Sequence, residues 1–205
     1  DFNNDGRLDL YVASGGNELP LKDGNYQDQL YLQMEEGMFN LATDRLPKMM
    51  SSTATVNAAD FDGDRDLDLF VGSRLLPGSY PYPGQSYILE NDNGYFKDVT
   101  ASVAPELGDI GLVTSALWTD FDNDGALDLI VVGEWMEISF FKNKKGKFEN
   151  VTQDTGLAGL TGSWNSINGA DFDGDGDIDY IVGNLGINTD LKASGKQPLT
   201  IVAKD

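Results

Sequence analysis

The chain has 205 residues, 34 of them acidic and 14 basic, for a formal net charge of −20, and it contains neither cysteine nor histidine. That length suffices for one sizeable core, and so negative a surface repels nucleic-acid phosphates and anionic lipid while attracting cations. Without Cys or His there are no disulfides, no thiol catalysis, no Cys/His zinc site and no His-dependent triad; no run of 18 apolar residues is present to span a membrane.

The opening residues, DFNNDGRLD from Asp1, set the pattern that organises the chain. Asp1 follows neither a Met nor an apolar leader, so a longer protein is expected, with any signal peptide removed. Related stretches follow as DFDGDRDLD from Asp60, DFDNDGALD from Asp120 and DFDGDGDID from Asp171. A second landmark lies between them: GMFNLAT from Gly37, GYFKDVT from Gly94 and GKFENVT from Gly146. The two advance together, which marks an internal repeat of roughly 50 to 60 residues.

The third repeat shows the strands most clearly. VTSALWT (113–119) enters the acidic loop, and LDLIVVG (127–133) leaves it with Leu127, Leu129 and Val131 on one face. EISFFKN (137–143) follows, and the turn KNKKGK leads into KFENVT. Equivalent turns are ENDNGY and MEEGMF, and Asn-Gly is a strong hairpin signal. No segment sustains a helical period. The terminal PLTIVAKD resembles the approach to each acidic loop, which makes Asp205 a candidate first residue of a fifth copy.

Four short antiparallel strands per repeat predict an all-β chain, a β-propeller of four-stranded blades. Propellers close with roughly four to eight blades. Residues 1–205 are therefore read as one segment, an arc of about three to four blades of a larger propeller of about six to eight. A stack or sandwich of hairpins is the alternative.

The acidic loops point to a hard cation. An EF-hand closes with a bidentate Glu at position 12, but here that position holds Val12, Val71, Val131 and Val182. The last carboxylate comes instead at position 9. Positions 1, 3, 5 and 9 offer side-chain oxygens, and the variable position 7 offers only its backbone carbonyl. The candidate ligands are Asp1, Asn3, Asp5, Arg7 and Asp9; Asp60, Asp62, Asp64, Asp66 and Asp68; Asp120, Asp122, Asp124, Ala126 and Asp128; and Asp171, Asp173, Asp175, Asp177 and Asp179. Six or seven oxygen ligands in a flexible loop favour Ca²⁺ over Mg²⁺, so about four calcium sites are expected, one per loop. Gly6, Gly125 and Gly176 at position 6 supply a positive φ without steric cost. Arg65 takes that place in the second loop, where weaker binding or a different turn is expected. The phenylalanines at position 2 (Phe2, Phe61, Phe121, Phe172) and the Leu or Ile at position 8 are read as anchoring each loop in the core.

The loops DFNNDGRLDL, DFDGDRDLDL, DFDNDGALDL and DFDGDGDIDY resemble the calcium loops of FG-GAP/VCBS repeats, found in integrin α-subunit propellers and bacterial surface proteins. Outside the loops, VGSRLLPGSYPYPGQSYILENDNGYFKDVT, VVGEWMEISFFKNKKGKFENVT and SWNSINGADFDGDGDIDYIVGNLGINT resemble the ASPIC/UnbV-associated, cartilage acidic protein-related family, common in Bacteroidetes. The resemblance covers nearly the whole chain, although the ASPIC/UnbV domain itself is not in these residues. Arg65 and Asn3 depart from the calcium pattern. The resemblance implies a calcium-stabilised binding or scaffold module displayed outside the cytoplasm, bacterial outer-membrane-associated or secreted, contacting a protein or polysaccharide at the cell surface.

A partner would meet a propeller face built from long loops. The candidate loop is SRLLPGSYPYPGQSY (73–87), with Arg74 at its base and Tyr80 and Tyr82 as stacking groups; Trp135, in GEWMEI, is a further candidate partner residue. Packing against the neighbouring blade is the alternative role for these aromatics. The second function class is a polysaccharide-active enzyme, a lyase or glycosidase, for which Glu134 and Glu137 are the best uncommitted carboxylates. Trp118 and Trp164 are read as inter-blade packing residues. Asn150-Val151-Thr152 is a formal glycosylation sequon that coincides with the repeating FxxVT strand, so the structural reading is preferred. Asn184, Asn188 and Asp190 are candidates for a further polar site.

Overall fold

The structure, a computed structural model, describes residues 1–20, 23–49, 51–186 and 202. Its regular elements are almost all short antiparallel strands, arranged as successive blades of a propeller arc. The first blade contributes β1 (Leu10–Val12), β2 (Gln29–Gln33) and β3 (Phe39–Leu41). The second is β4 (Ser52–Ala59), β5 (Asp68–Leu75), β6 (Tyr87–Asp92) and β7 (Tyr95–Asp98), paired in that order. The third is β8 (Leu112–Thr119), β9 (Asp128–Glu137), β10 (Ser139–Asn143) and β11 (Phe148–Asn150). The fourth contributes β12 (Thr161–Ala170) and β13 (Asp179–Asn184). One α-helical turn, α1 (Thr100–Val103), follows β7.

β5 is buried along its length except at Arg74, and β9 from Asp128 to Gly133. These second strands read as continuous apolar runs because neighbouring blades cover both of their faces. The core is accordingly a series of layers between blades. Phe70 and Ile88 of the second blade pack with Val113, Leu129 and Phe141 of the third. Leu30 of the first blade packs with Leu69, Val71 and Leu89 of the second. Trp164 and Ile167 of the fourth pack against Ile130 and Val132 of the third. Each of these large apolar side chains contributes about 1.5–3 kcal/mol by leaving water. Gly72 marks a close approach within this stack: a Cβ there would lie 2.7 Å from Val113 Cγ1 and 2.8 Å from Thr55 Cγ2.

Four strands per repeat hold for the second and third blades, and the sheets of the third and fourth blades are joined. The last residues of β9 pair with the first of β12, Thr161 opposite Glu137 and Ser163 opposite Glu134. The register slips there by one residue, leaving Trp135 as a bulge with φ +60°. A bulky residue in that region is strained, and bulges re-aim a side chain.

Candidate functional sites

The second, third and fourth acidic loops leave the end of a first strand (β4, β8 and β12) and enter a second, and the first loop enters β1, so the loops gather at one rim of the arc. Within each loop the aspartates first build the turn. The position-1 carboxylate accepts the position-6 N–H: Gly6 to Asp1 at 2.7 Å, Arg65 to Asp60 at 3.0 Å, Gly125 to Asp120 at 2.8 Å and Gly176 to Asp171 at 3.1 Å. The position-5 carboxylate accepts the position-7 N–H, as in Asp124 from Ala126 at 3.0 Å. At position 9 Asp68 and Asp128 are both 0% exposed, whereas Asp9 and Asp179 are half-buried. Asp128 accepts from Phe121 N–H (3.2 Å) and from Asn143 N–H on β10 (2.7 Å), and Asp68 accepts likewise from Phe61 (3.2 Å) and Asn91 (2.9 Å).

Carboxylates from positions 1, 3 and 9 converge in three loops. Oxygens of Asp60, Asp62 and Asp68 lie within 4.8 Å of one another, as do those of Asp120, Asp122 and Asp128, and of Asp171, Asp173 and Asp179. Position 5 lies outside these clusters. In the first loop Asn3 stands at position 3, with its amide N–H on Asp5 at 2.9 Å. Burial, reinforced by the nearby charges of Asp62 and Asp64, pushes the Asp68 carboxyl up to about 7. Burial raises Asp128 and Asp62 as well, and Asp175 raises Asp177. An all-oxygen donor set, mutually repelling and brought around one point, fits a hard divalent cation. Two loops also meet cations of the chain itself. Arg7 pairs with Asp5 at 2.5 Å, and Lys142 bonds Asp122 and pairs with Asp124 at 2.9 Å.

Arg65 adopts φ +80°, beside +84°, +88° and +98° at the three glycines, so the second loop keeps the common turn and does not adopt a different one. Position 4 shares the left-handed region with Asn4, Gly63, Asn123 and Gly174. Asn or Gly at position 4 of every loop is the sequence signal of this turn.

The anchors differ from expectation. Position 8 lies outside the core: Leu8 is 75% exposed, and Leu67 and Ile178 are exposed as well. At position 2, Phe2 and Phe61 anchor in the following blade, Phe121 meets Phe140 of its own blade at 5.4 Å, and Phe172, 56% exposed, is not anchored. The Phe2 ring meets Phe96 at 5.4 Å and the Phe61 ring meets Phe148 at 5.5 Å, with Trp118 stacked on Phe61 at 6.2 Å. The same residues are held by their backbone. Asn91, on β6, donates its amide to Phe2 O (2.9 Å) and Leu67 O (3.1 Å) and accepts from Gly94 N–H (2.7 Å). Asn143, on β10, does the same with Phe61 O (2.7 Å), Leu127 O (2.9 Å) and Gly146 N–H (2.8 Å). Sequence reasoning missed this pair of buried latches, although an Asn three residues before the hairpin Gly in both repeats was visible.

The candidate partner residues lie at the other end of the second strands. Arg74 pairs with Glu134 across the second and third blades. The Trp135 indole N–H donates to Tyr80 OH at 2.9 Å, and Tyr80 is exposed. Tyr82 is exposed too, and its backbone closes the 76–82 turn through Leu76 N–H at 2.9 Å. Arg74 and Glu134 line a cavity of about 530 Å³ with Asn17, Glu18, Thr114 and Asn165. Of the carboxylates considered for catalysis, Glu134 is held by Arg74, and Glu137 accepts from Gly159 N–H at 2.8 Å.

Trp164 is buried and donates to Met136 O at 3.0 Å, in keeping with inter-blade packing. Thr152 of the sequon is buried, and its hydroxyl donates to Asn150 at 2.7 Å and accepts from Phe140 N–H at 3.0 Å, a structural assignment for that triplet. Asn184 accepts from Gly186 N–H at 2.7 Å, whereas Asn188, Asp190 and Asp205 lie outside the described residues. Among the described residues no helix is long and apolar enough to cross a membrane.

Comparison with known proteins agrees with this architecture. A model of the FG-GAP-like repeat matches residues 1–71 and 120–182. Cartilage acidic protein 1 of Xenopus tropicalis is 32% identical over 160 residues, 73% of this chain and 23% of the relative. The proteins of that name from Mus musculus and Homo sapiens are each 32% identical, over 73% and 71% of this chain. The chain thus spans about a quarter of the length of these relatives (23%, 23% and 22%).

Proposed function

Because the chain belongs to the family of FG-GAP-like repeat proteins, we propose that it is a calcium-stabilised extracellular or cell-surface scaffold that binds a protein or glycan partner. One observation carries the calcium half: repeated clusters at one rim, in each of which three aspartate oxygens lie within 4.8 Å of one another. Asp60, Asp62 and Asp68 would hold an ion in the second loop, with the position-7 carbonyl and Asp64 completing its shell, and the other loops would do likewise. The bound ion supplies positive charge where the fold has gathered carboxylates. The chain's own residues do the positioning, through the left-handed turn residues and the backbone N–H groups that orient each carboxylate.

The opposite rim is proposed to meet the partner. Trp135 and Tyr80 form an aromatic surface beside the Arg74–Glu134 pair. Aromatic side chains carry much of the binding energy at interfaces. Residues 1–205 form one structural unit in this reading, part of a propeller of about six to eight blades. No observation favours the enzyme reading, since both candidate carboxylates have structural partners.

The test has two arms. Chelation should lower the melting temperature, since each site saturated at 100 times its Kd contributes about 2.7 kcal/mol. An unchanged melting temperature would end the calcium reading. On glycan arrays and in pull-downs from extracellular material, Tyr80→Ala and Trp135→Ala should each abolish the signal without altering the melting temperature by more than a few degrees. Full binding by both variants would remove this rim from consideration.

A further inference from the structure

The first and second acidic loops do not stand alone, because each is gripped by the blade that follows it. In the second loop, the residue after the first ligand is Phe61. Its carbonyl accepts from Asn143 Nδ2 of the third blade at 2.7 Å. The same Asn143 donates its backbone N–H to Asp128, the buried ligand of the third loop, at 2.7 Å. Its remaining amide bonds go to Leu127 O and Gly146 N–H, so the side chain, 3% exposed, has no slack. The Phe61 ring is wedged against Trp118, which lies in the strand that enters the third loop, and against Phe148. Asn91 repeats the arrangement one blade earlier, between Phe2 O of the first loop and Asp68 of the second.

We infer that neighbouring metal sites are energetically coupled, with Asn91 joining the first to the second and Asn143 the second to the third. The inference rests on the calcium reading above. An ion that draws Asp128 into its shell fixes the Asn143 backbone, and Asn143 fixes Phe61, the residue between Asp60 and Asp62. Ordering of one loop is then partly complete before its neighbour binds, which is positive coupling. The opposing effect is Coulomb repulsion between two bound ions, which is weakened by solvent at exposed loops. A rigid, fully bonded latch therefore prevails over a screened long-range repulsion.

The two effects differ in sign, and that makes the test sharp. Asp122→Asn disables the third site at an exposed residue. Losing a divalent ion and one carboxylate leaves the third loop more negative, so electrostatics alone would tighten the second site. The latch instead predicts weakening. Calcium titration followed by NMR can read the loops separately, because the Gly63 N–H lies on Asp60 (2.7 Å) and the Gly125 N–H on Asp120 (2.8 Å). Asp122→Asn is expected to shift the Gly63 midpoint to about fivefold higher calcium, at the low end of measured couplings. Asp62→Asn should shift the Gly125 midpoint by the same factor, since coupling is reciprocal. Asn143→Ser should erase both shifts while both amides still respond. Midpoints that stay within twofold or move to lower calcium in the two aspartate variants overturn the coupling, with no need for the Asn143 variant to fold. Failure of either amide to respond to calcium in the unsubstituted protein overturns the calcium reading itself.

Discussion

Replacing Asn143 by Leu isolates the polar part of the latch, because the two side chains are close in size and no cavity is opened. The change removes the amide bonds to Phe61 O (2.7 Å) and Leu127 O (2.9 Å) and the acceptor for Gly146 N–H (2.8 Å). The backbone bond from residue 143 to Asp128 survives. Each buried group left without a partner costs about 1–3 kcal/mol. Water reaches the Leu127 and Gly146 ends, which are only partly buried, so the total is about 3–5 kcal/mol. At roughly 2–4 °C per kcal/mol for a chain of this size, the melting temperature should fall by roughly 6–20 °C. Urea unfolding in saturating calcium, read by tryptophan fluorescence with Trp118 stacked on Phe61 as its reporter, gives the number. Asn91→Leu should match it within about 1 kcal/mol, because its bonds are the same. A loss below about 1 kcal/mol in both variants would refute the latch as a load on stability.

Arg65→Gly should stabilise the second loop by about 1 kcal/mol, by relieving a side chain held at φ +80°, and raise its calcium affinity in titration. An unchanged affinity and melting temperature would mean the turn is unstrained. Gly72→Ala should cost about 1–3 kcal/mol in calorimetry, because its Cβ would sit 2.7 Å from Val113 Cγ1 in a layer with no room to move. Asp28 gives the pH test. It is buried, accepts from Tyr11 OH (2.8 Å), Thr53 OH (2.9 Å) and Ser14 N–H (2.6 Å), and burial raises its pKa above the usual 3.8. A carboxyl raised on folding contributes stability that is full below its unfolded pKa and is lost as pH rises through the folded one. Asp28→Asn, whose amide can donate to the two hydroxyls, should therefore gain on the parent as pH rises above the unfolded carboxyl range in urea unfolding. Parallel pH profiles would count against it.

Much of this was legible in the sequence. The acidic loops, the strands that enter and leave them and the hairpin turns all follow from local chemistry: carboxylate spacing, left-handed glycines and short apolar runs. The strand read at 113–119 is β8 (Leu112–Thr119), and the loops sit where the repeat puts them. What escaped was non-local. An apolar residue at position 8 reads as a core anchor, yet the rim of the blade leaves Leu8 in solvent. Asn143 looked like a turn residue, since nothing in KNKKGK says that a carbonyl of another blade waits 2.7 Å away. The Trp135 bulge depends on β12 pairing with the end of β9, a match between segments that neither sequence declares.

The wedge formed by Phe61 has a consequence for how such a chain is divided. In the sequence its loop opens one repeat, yet its ring and its carbonyl are lodged in the next, against Phe148 and Asn143. The repeat seen in the sequence and the unit that packs are thus not the same, since the contact reaches past the end of its own repeat. A module excised at the repeat boundary would carry a plug without its socket at one end and a socket without its plug at the other, and no shift of the cut within one repeat reunites them, because Phe61 and Asn143 stand 82 residues apart.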